Sequence, residues 1–235
     1  MRALWLWPAI GLLGVLHVLW SLPWLLLWPA RARRARVAVA FARAWSRSVL
    51  ALAGVRLTVE GQERLAARPA VILFNHVNNL DFFVNACICP PHGLVFGKLS
   101  LGLVPVVGWM WLAGGHPLVR RGTREQWQRV MDRVARRMLE DGGAAYLAPE
   151  GTRSHDGLLL PFKKGAFHLA LATRAPIVPV VIEGVKALAG PGAPRPGRVT
   201  AKVLPPIPTT SWKEETLDAH VHEVRAVYLR ALGQA

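Results

Sequence analysis

The sequence predicts an α/β fold: a mixed, largely parallel sheet flanked by helices, preceded by an N-terminal membrane-anchoring helical hairpin. Three observations predict it. The chain carries no Asp, Glu, Lys or Arg from Ala3 to Ala30. Short β-like runs recur downstream, and helical patterns separate them. Strands alternating with helices are the signature of a layered α/β domain.

The apolar run is long enough to cross a bilayer, for which about 20 residues suffice. Pro8 and Pro23 interrupt it, and Arg31, Arg33, Arg34, Arg36, Arg43 and Arg47 follow it. A spanning helix would leave that cluster on the cytoplasmic side. A hairpin seated in one leaflet is favoured by the next segment, where Phe41, Trp45 and Leu52 share one side of a helical wheel and Arg36, Arg43 and Arg47 the other. That pattern suits a helix at headgroup level. A cleaved secretory signal fits poorly, because the basic residues follow the run instead of preceding it. Residues 1–53 therefore read as a membrane-associated helical segment and 54–235 as an α/β catalytic domain.

Within the domain, Val55 to Gly61 alternates as a first strand, and runs at Ala70–Phe74, Leu94–Phe96, Ala144–Leu147, Ile177–Ile182 and Val199–Leu204 supply the others. Between Arg124 and Asp141, Trp127, Val130, Met131, Val134 and Met138 recur at helical spacing, and Gly142-Gly143 ends the pattern. A Pro/Gly-rich connection follows at Ala189–Arg198, and a closing helix is expected over Trp212–Leu232.

The formal charge is +15, and 23 of the 29 basic residues are arginine. No zinc-finger spacing, helix-turn-helix signature or aromatic RNA-binding motif accompanies it, so nucleic acid is not the expected partner. Beside an apolar segment, anionic membrane lipid is. The two cysteines, Cys87 and Cys89, are too few for a disulfide framework and make no zinc site, which leaves them as small apolar filler.

The stretch FNHVNNLDFF, Phe74 to Phe83, sets His76 and Asp81 five positions apart directly after a strand. Neither a continuous helix nor a continuous strand would pair them. A turn through Asn78-Asn79 with a helix beginning near Asp81 would, and it would put His76 at a strand's carboxyl end, where open α/β sheets bind ligands. Paired, the carboxylate fixes the imidazole tautomer and leaves the other ring nitrogen to take a proton from a substrate hydroxyl. A simple N-cap is the alternative for Asp81. APEGTRS, Ala148 to Ser154, sets Glu150, Gly151, Thr152 and Arg153 at another strand end, in a tight loop presenting Arg153 to an oxyanion or in an ordinary exposed turn. GKLS offers Lys98 as a point charge for phosphate. GGHPLVRR (Gly114 to Arg121) and PFKKGAFH (Pro161 to His168) add further basic clusters.

NHVNNLD, GGHPLVRR, PEGTRS with LPFKKGAF, and APIVPVVI resemble, in order and spacing, the four motifs of the glycerolipid acyltransferase family, over roughly Val55 to Leu204. The nearest resemblance is to bacterial 1-acyl-sn-glycerol-3-phosphate acyltransferases. It implies His76 as general base with Asp81 orienting it, Lys98, Arg121 and Arg153 as ligands of the acceptor phosphate, and Asn75, Glu150, Gly151, Thr152 and Pro179 as supporting motif residues. Arg120 departs from the pattern, where an aspartate is frequent, and so do Pro117 and Leu118. The implied reaction moves an acyl chain from acyl-CoA or acyl-carrier protein to the sn-2 hydroxyl of lysophosphatidic acid at the cytoplasmic face of the cell membrane. It needs no metal and no bound cofactor. Competing readings are the same chemistry on a lyso-ornithine lipid or glycerol 3-phosphate, and a non-catalytic membrane-tethered lipid-binding protein.

Overall fold

The structure, a computed structural model, describes residues 2–27, 31–119, 124–154, 156–190 and 192–235. Two long helices, α1 (Arg2–Leu27) and α2 (Arg31–Leu52), precede a six-stranded sheet of order β1-β8-β7-β2-β6-β3. Its strands are β1 (Val55–Glu60), β2 (Ala70–Phe74), β3 (Gly93–Val95), β6 (Ala144–Leu147), β7 (Ile177–Glu183) and β8 (Gly197–Val203). Every pairing is parallel except β7 with β8. The mixed, largely parallel sheet is therefore as expected. Two further strands of two residues each, β4 (Gly97–Lys98) and β5 (Leu118–Val119), pair separately.

Both faces of the sheet are covered, which explains why β2 reads as an unbroken apolar run. Side chains alternate between faces, so Ile72 and Phe74 pack on one side with Trp45, Phe83 and Ile10, while Val71 and Leu73 pack on the other with Met131, Val134 and Phe167. The first layer is built from α1, α2, α3 (Leu80–Ile88) and α4 (Val107–Ala113); the second from α5 (Arg124–Asp141), α6 (Gly165–Thr173) and α7 (Leu217–Ala231). Met131, Val134 and Met138, the stripe read from the sequence, are all buried in the second layer.

The N-terminal segment is one of these layers. Trp45 Nε1 donates to Ile10 O at 3.1 Å and His17 meets Phe41 edge-on, so α1 and α2 run antiparallel, as a hairpin. Gly14 permits the approach, because a Cβ there would come within 3.2 Å of the Trp45 ring. Phe41 and Trp45, expected to face lipid, are instead 2 % and 6 % exposed, and Trp45 packs edge-on against Phe82 and Phe83 of α3. An apolar stripe reveals that something covers it, and here the cover is protein. Within the two N-terminal helices, most of the apolar surface that remains open belongs to α1, where Trp5, Leu12, Leu16, Leu19 and Trp20 are between 50 % and 64 % exposed. Residues Trp5–Trp24 are long and apolar enough to cross a membrane.

The closing helix is shorter than expected. Trp212 lies in a turn, a short 3-10 helix covers Glu214–Thr216, and α7 begins at Leu217. Trp212 is buried all the same, stacked between Phe167 and His220. Cys87 and Cys89 are buried free thiols, filling space as expected.

Pro179 sits in β7, a central strand, where a missing N–H breaks a ladder. Beside it, the Tyr228 hydroxyl of α7 bridges β2 and β7, donating to Leu73 O at 2.7 Å and accepting from Val180 N at 3.2 Å. Pro179 is thus a core residue of the strand beside β2.

Candidate active site

The site begins where β2 leaves the sheet. Asn75, 3 % exposed, continues the ladder with its side chain: Nδ2 donates to Ile182 O at 2.9 Å and Oδ1 accepts from Ile182 N at 2.7 Å. The backbone of His76 is thereby released from strand pairing, yet it is not loose. Its N–H donates to Glu150 Oε1 at 2.8 Å, and its carbonyl accepts from Ser154 N at 2.9 Å. The EGTR loop therefore clasps the His76 residue from both sides. Glu150 Oε2 accepts from Leu160 N at 2.9 Å, so both its oxygens are engaged. Burial pushes the Glu150 carboxyl up from its ordinary range, with these two amides and His76 pulling the other way.

The turn through Asn78 and Asn79 forms as read, and α3 starts at Leu80. It brings His76 Nδ1 to 2.9 Å from Asp81 Oδ2. The same oxygen accepts from the amides of Val77 and Asn78, the latter at 2.8 Å. Asp81 is fully buried, and its bonds reach backward to the turn instead of forward along the helix, which rules out the N-cap reading. The N-cap is Asn79, whose side chain makes no capping bond; the turn before it is closed by Asn78 Oδ1, which accepts from Leu80 N at 2.8 Å. Behind Asp81, Asn85 Nδ2 donates to its carbonyl at 2.8 Å and Asn85 Oδ1 accepts from the buried Tyr146 hydroxyl at 2.7 Å. With Nδ1 turned to Asp81, the imidazole's Nε2 is the nitrogen left for substrate.

His76 opens on a cavity of about 980 Å³. One part of its wall is apolar, formed by Phe41, Ala42 and Trp45 of α2, Phe82 and Ala86 of α3, and Met110 of α4. Another part is cationic, formed by Lys98, Arg153 and Lys163. Gly151 and Thr152 line the same wall. Lys98, Arg153, Glu150 and the His76/Asp81 pair are thus brought together; Pro179 is not at the cavity, and Arg121, like Arg120, lies outside the described residues.

Two contributors carried no assigned role in the sequence reading. Asn79 accepts a hydrogen bond from Arg153 Nη1, which ties the guanidinium to the turn carrying the dyad. Lys163 passes over Gly151, where a Cβ would fall 2.7 Å from its Nζ. At Gly151 φ is +68°, so the glycine answers both to backbone conformation and to the lysine above it. The neighbouring Lys164 turns away and pairs with Asp218 at 2.6 Å. Only the doubled lysine in PFKKGAFH hinted at this division. His116, also on the wall, is held neutral: burial and the Arg137 guanidinium push it down to about 4, and its Nδ1 accepts from Val95 N at 3.4 Å.

Comparison with known proteins follows the same lines. The profile of the family described as Acyltransferase matches residues 56–183. A 1-acyl-sn-glycerol-3-phosphate acyltransferase from Cocos nucifera is 30 % identical over 94 % of this chain and 72 % of its own length. One of the same description from Saccharomyces cerevisiae is 35 % identical over 73 % of this chain and 58 % of its own length. In fold, the chain is similar to a crystal structure of a 1-acyl-sn-glycerophosphate (LPA) acyltransferase from Thermotoga maritima, with a TM-score of 0.79 at 23 % identity, covering 99 % of this chain and 95 % of that one. The chain belongs to the acyltransferase family that includes the 1-acyl-sn-glycerol-3-phosphate acyltransferases.

Proposed function

We propose that this enzyme acylates the sn-2 hydroxyl of 1-acylglycerol 3-phosphate, giving phosphatidic acid, with a fatty acyl thioester of CoA or acyl-carrier protein as donor. The observation that carries the reading is the placement of His76 on a cavity with both an apolar and a cationic wall. His76 Nε2 takes the acceptor's hydroxyl proton as that oxygen attacks the thioester carbonyl. The tetrahedral adduct then collapses, the C–S bond breaks, and the thiolate leaves with the proton returned from His76. General-base assistance of this kind contributes about 10²–10⁴-fold. Asp81 holds the ring in one tautomer and stabilises the imidazolium that forms.

Lys98, Arg153 and Lys163 hold the acceptor phosphate, which fixes the hydroxyl against the base. Arg121 is assigned the same duty from the sequence pattern. The apolar wall between α2, α3 and α4 receives an acyl chain. The open face of α1 places the enzyme in one leaflet, with Arg34, Arg36 and Arg47 of α2 at anionic headgroups on the cytoplasmic side. Residues 1–53 act as anchor and 54–235 as catalytic domain, although the two share one core.

The test is purified protein in lipid vesicles with acyl-CoA or acyl-carrier-protein donors, offered lysophosphatidic acid, glycerol 3-phosphate or an uncharged lyso-lipid in separate reactions. Transfer confined to lysophosphatidic acid and lost in His76→Ala is the expected result. Transfer to another acceptor overturns the substrate; full activity in His76→Ala overturns the base.

A further inference from the structure

A second apolar surface lies beside the first. Leu103 is 86 % exposed, Leu112 60 %, Trp109 58 % and Leu99 48 %, all within a stretch of 14 residues ending at Leu112. Trp109 and Leu112 share one face of α4, three residues apart. The helix's other side is fully used: Met110 Sδ accepts from Ser21 Oγ of α1 at 3.7 Å, and Trp111 faces the cavity. The outward side chains are therefore not left over from a loosely packed element.

The segment is also fixed to α1. Its chain reverses at Val106 in a tight γ-turn, φ 68° and ψ −60°, closed by Val107 N donating to Pro105 O at 2.8 Å. For a β-branched residue this conformation is strained and persists only where the surroundings hold it. Val106 is 6 % exposed and abuts Gly14, where a Cβ would come 3.0 Å from Val106 Cγ1. With contacts at both Gly14 and Ser21, on the buried side of α1, the 99–112 segment packs directly on the helix that carries the open apolar face. It also borders the cavity, since Lys98, Ser100, Leu101 and Val107 line the wall between the exposed positions.

We infer that the 99–112 segment is a second lipid-contacting surface, seated in the same leaflet as α1, that holds the cavity mouth at the depth of a lysophospholipid's glycerol. It rests on the membrane reading of α1 given above. A lipid leaflet fits better than a second copy of the chain for two reasons. The segment packs against α1, whose apolar run matches a leaflet. At its border stands Lys98, a cation on a flexible stem that reaches headgroup phosphate while its methylenes stay in the apolar layer. A second contact beside α1 and bordering the cavity would also fix the tilt of its mouth, which a single helix cannot.

The experiment attaches an environment-sensitive fluorophore to single cysteines at Leu103→Cys and Leu112→Cys, with Leu12→Cys on α1 as the marker of membrane binding. Leu139→Cys and Leu158→Cys, 61 % and 58 % exposed in the wild type, serve as distant controls. The native thiols stay unlabelled at neutral pH, because burial pushes Cys87 up to about 11 and Cys89 up to about 12. The full-length protein is reconstituted in phosphatidylcholine/phosphatidylglycerol vesicles with and without nitroxide-bearing acyl chains. Quenching at residues 12, 103 and 112, at least fivefold stronger than at 139 and 158, supports the inference. Quenching at residue 12 alone overturns it and leaves the membrane reading standing. No quenching at residue 12 removes both. Blue-shifted but unquenched emission at 103 and 112 assigns the surface to a second protein copy, and uniform quenching at all five positions reports adsorption without orientation; either overturns the proposal.

Discussion

Asp81→Asn is a clean probe of the proposed dyad because the structure gives the new amide a place. Asp81 Oδ2 carries the contacts to His76 and to the Val77 and Asn78 amides, whereas Oδ1 is buried with no partner among the described residues. An asparagine can keep its oxygen on the three donors and put its NH2 where Oδ1 was, exchanging one unpartnered atom for another. The turn should persist while the charge is lost. An imidazolium and a carboxylate with charge centres about 4 Å apart attract by about 4 kcal/mol at an effective dielectric near 20. Removing that attraction from the transition state, at about 1.4 kcal/mol per decade, predicts a fall in kcat of roughly 10³-fold. The assay is thiol release from the acyl donor with product identification, over a titration of the acceptor. The acceptor's KM should change by less than about threefold, because the phosphate ligands are untouched. Thermal unfolding should show a folded protein. A folded Asp81→Asn variant with kcat within tenfold of wild type would refute the reasoning.

Further expectations concern the rest of the site. Glu150→Gln can satisfy only one of the His76 and Leu160 amides and turns an NH2 toward the other, so stability should fall by about 1–3 kcal/mol, read as a lower Tm by about 2–4 °C per kcal/mol. Because the native state raises the Glu150 pKa, the folded protein holds that proton longer than the unfolded chain. The wild type should therefore lose stability as pH rises through and above the ordinary carboxylate range, and this part of the slope should vanish in the Gln variant, as denaturation at stepped pH would show. Lys163→Gln should raise the KM for lysophosphatidic acid about tenfold, the lower end for one charge-assisted hydrogen bond, while Lys164→Gln should not; equal effects would remove Lys163 from the phosphate site. Ala42→Phe fills the apolar wall of the cavity and should shift donor preference to shorter chains, by about fourfold in kcat/KM per methylene excluded. A chain-length profile measured by donor competition that matched wild type would place the acyl chain elsewhere.

Much of the fold was legible because its signals are local. The strands at Ala70–Phe74 and Ala144–Leu147 and the stripe of Met131, Val134 and Met138 are set by period and composition within a few residues. The His76/Asp81 pairing was legible for the same reason, since the Asp81 carboxylate's partners, His76, Val77 and Asn78, lie within five positions. What escaped is long-range. Glu150 holds the His76 amide across 74 positions, and no periodicity encodes that contact. Phe41 and Trp45 form an apolar stripe whether lipid or α3 covers it. Strands β4 and β5 have two residues each, too few for alternation to register. Lys163 and Lys164 are chemically identical neighbours, and only the course of the loop sends one to the cavity and the other to Asp218.

The Tyr228 hydroxyl that bridges Leu73 and Val180 also imposes an order in time. The strand that presents the dyad is bridged to its neighbour by a residue 155 positions downstream of Leu73, so a growing chain can pair β2 with β7 and still lack that bridge. Until that residue is available, the Leu73 carbonyl and the Val180 amide lack the hydroxyl that partners both in the folded protein. The strand that presents the dyad is thus among the last parts of the sheet to be completed, after the two N-terminal helices on its other face have been made.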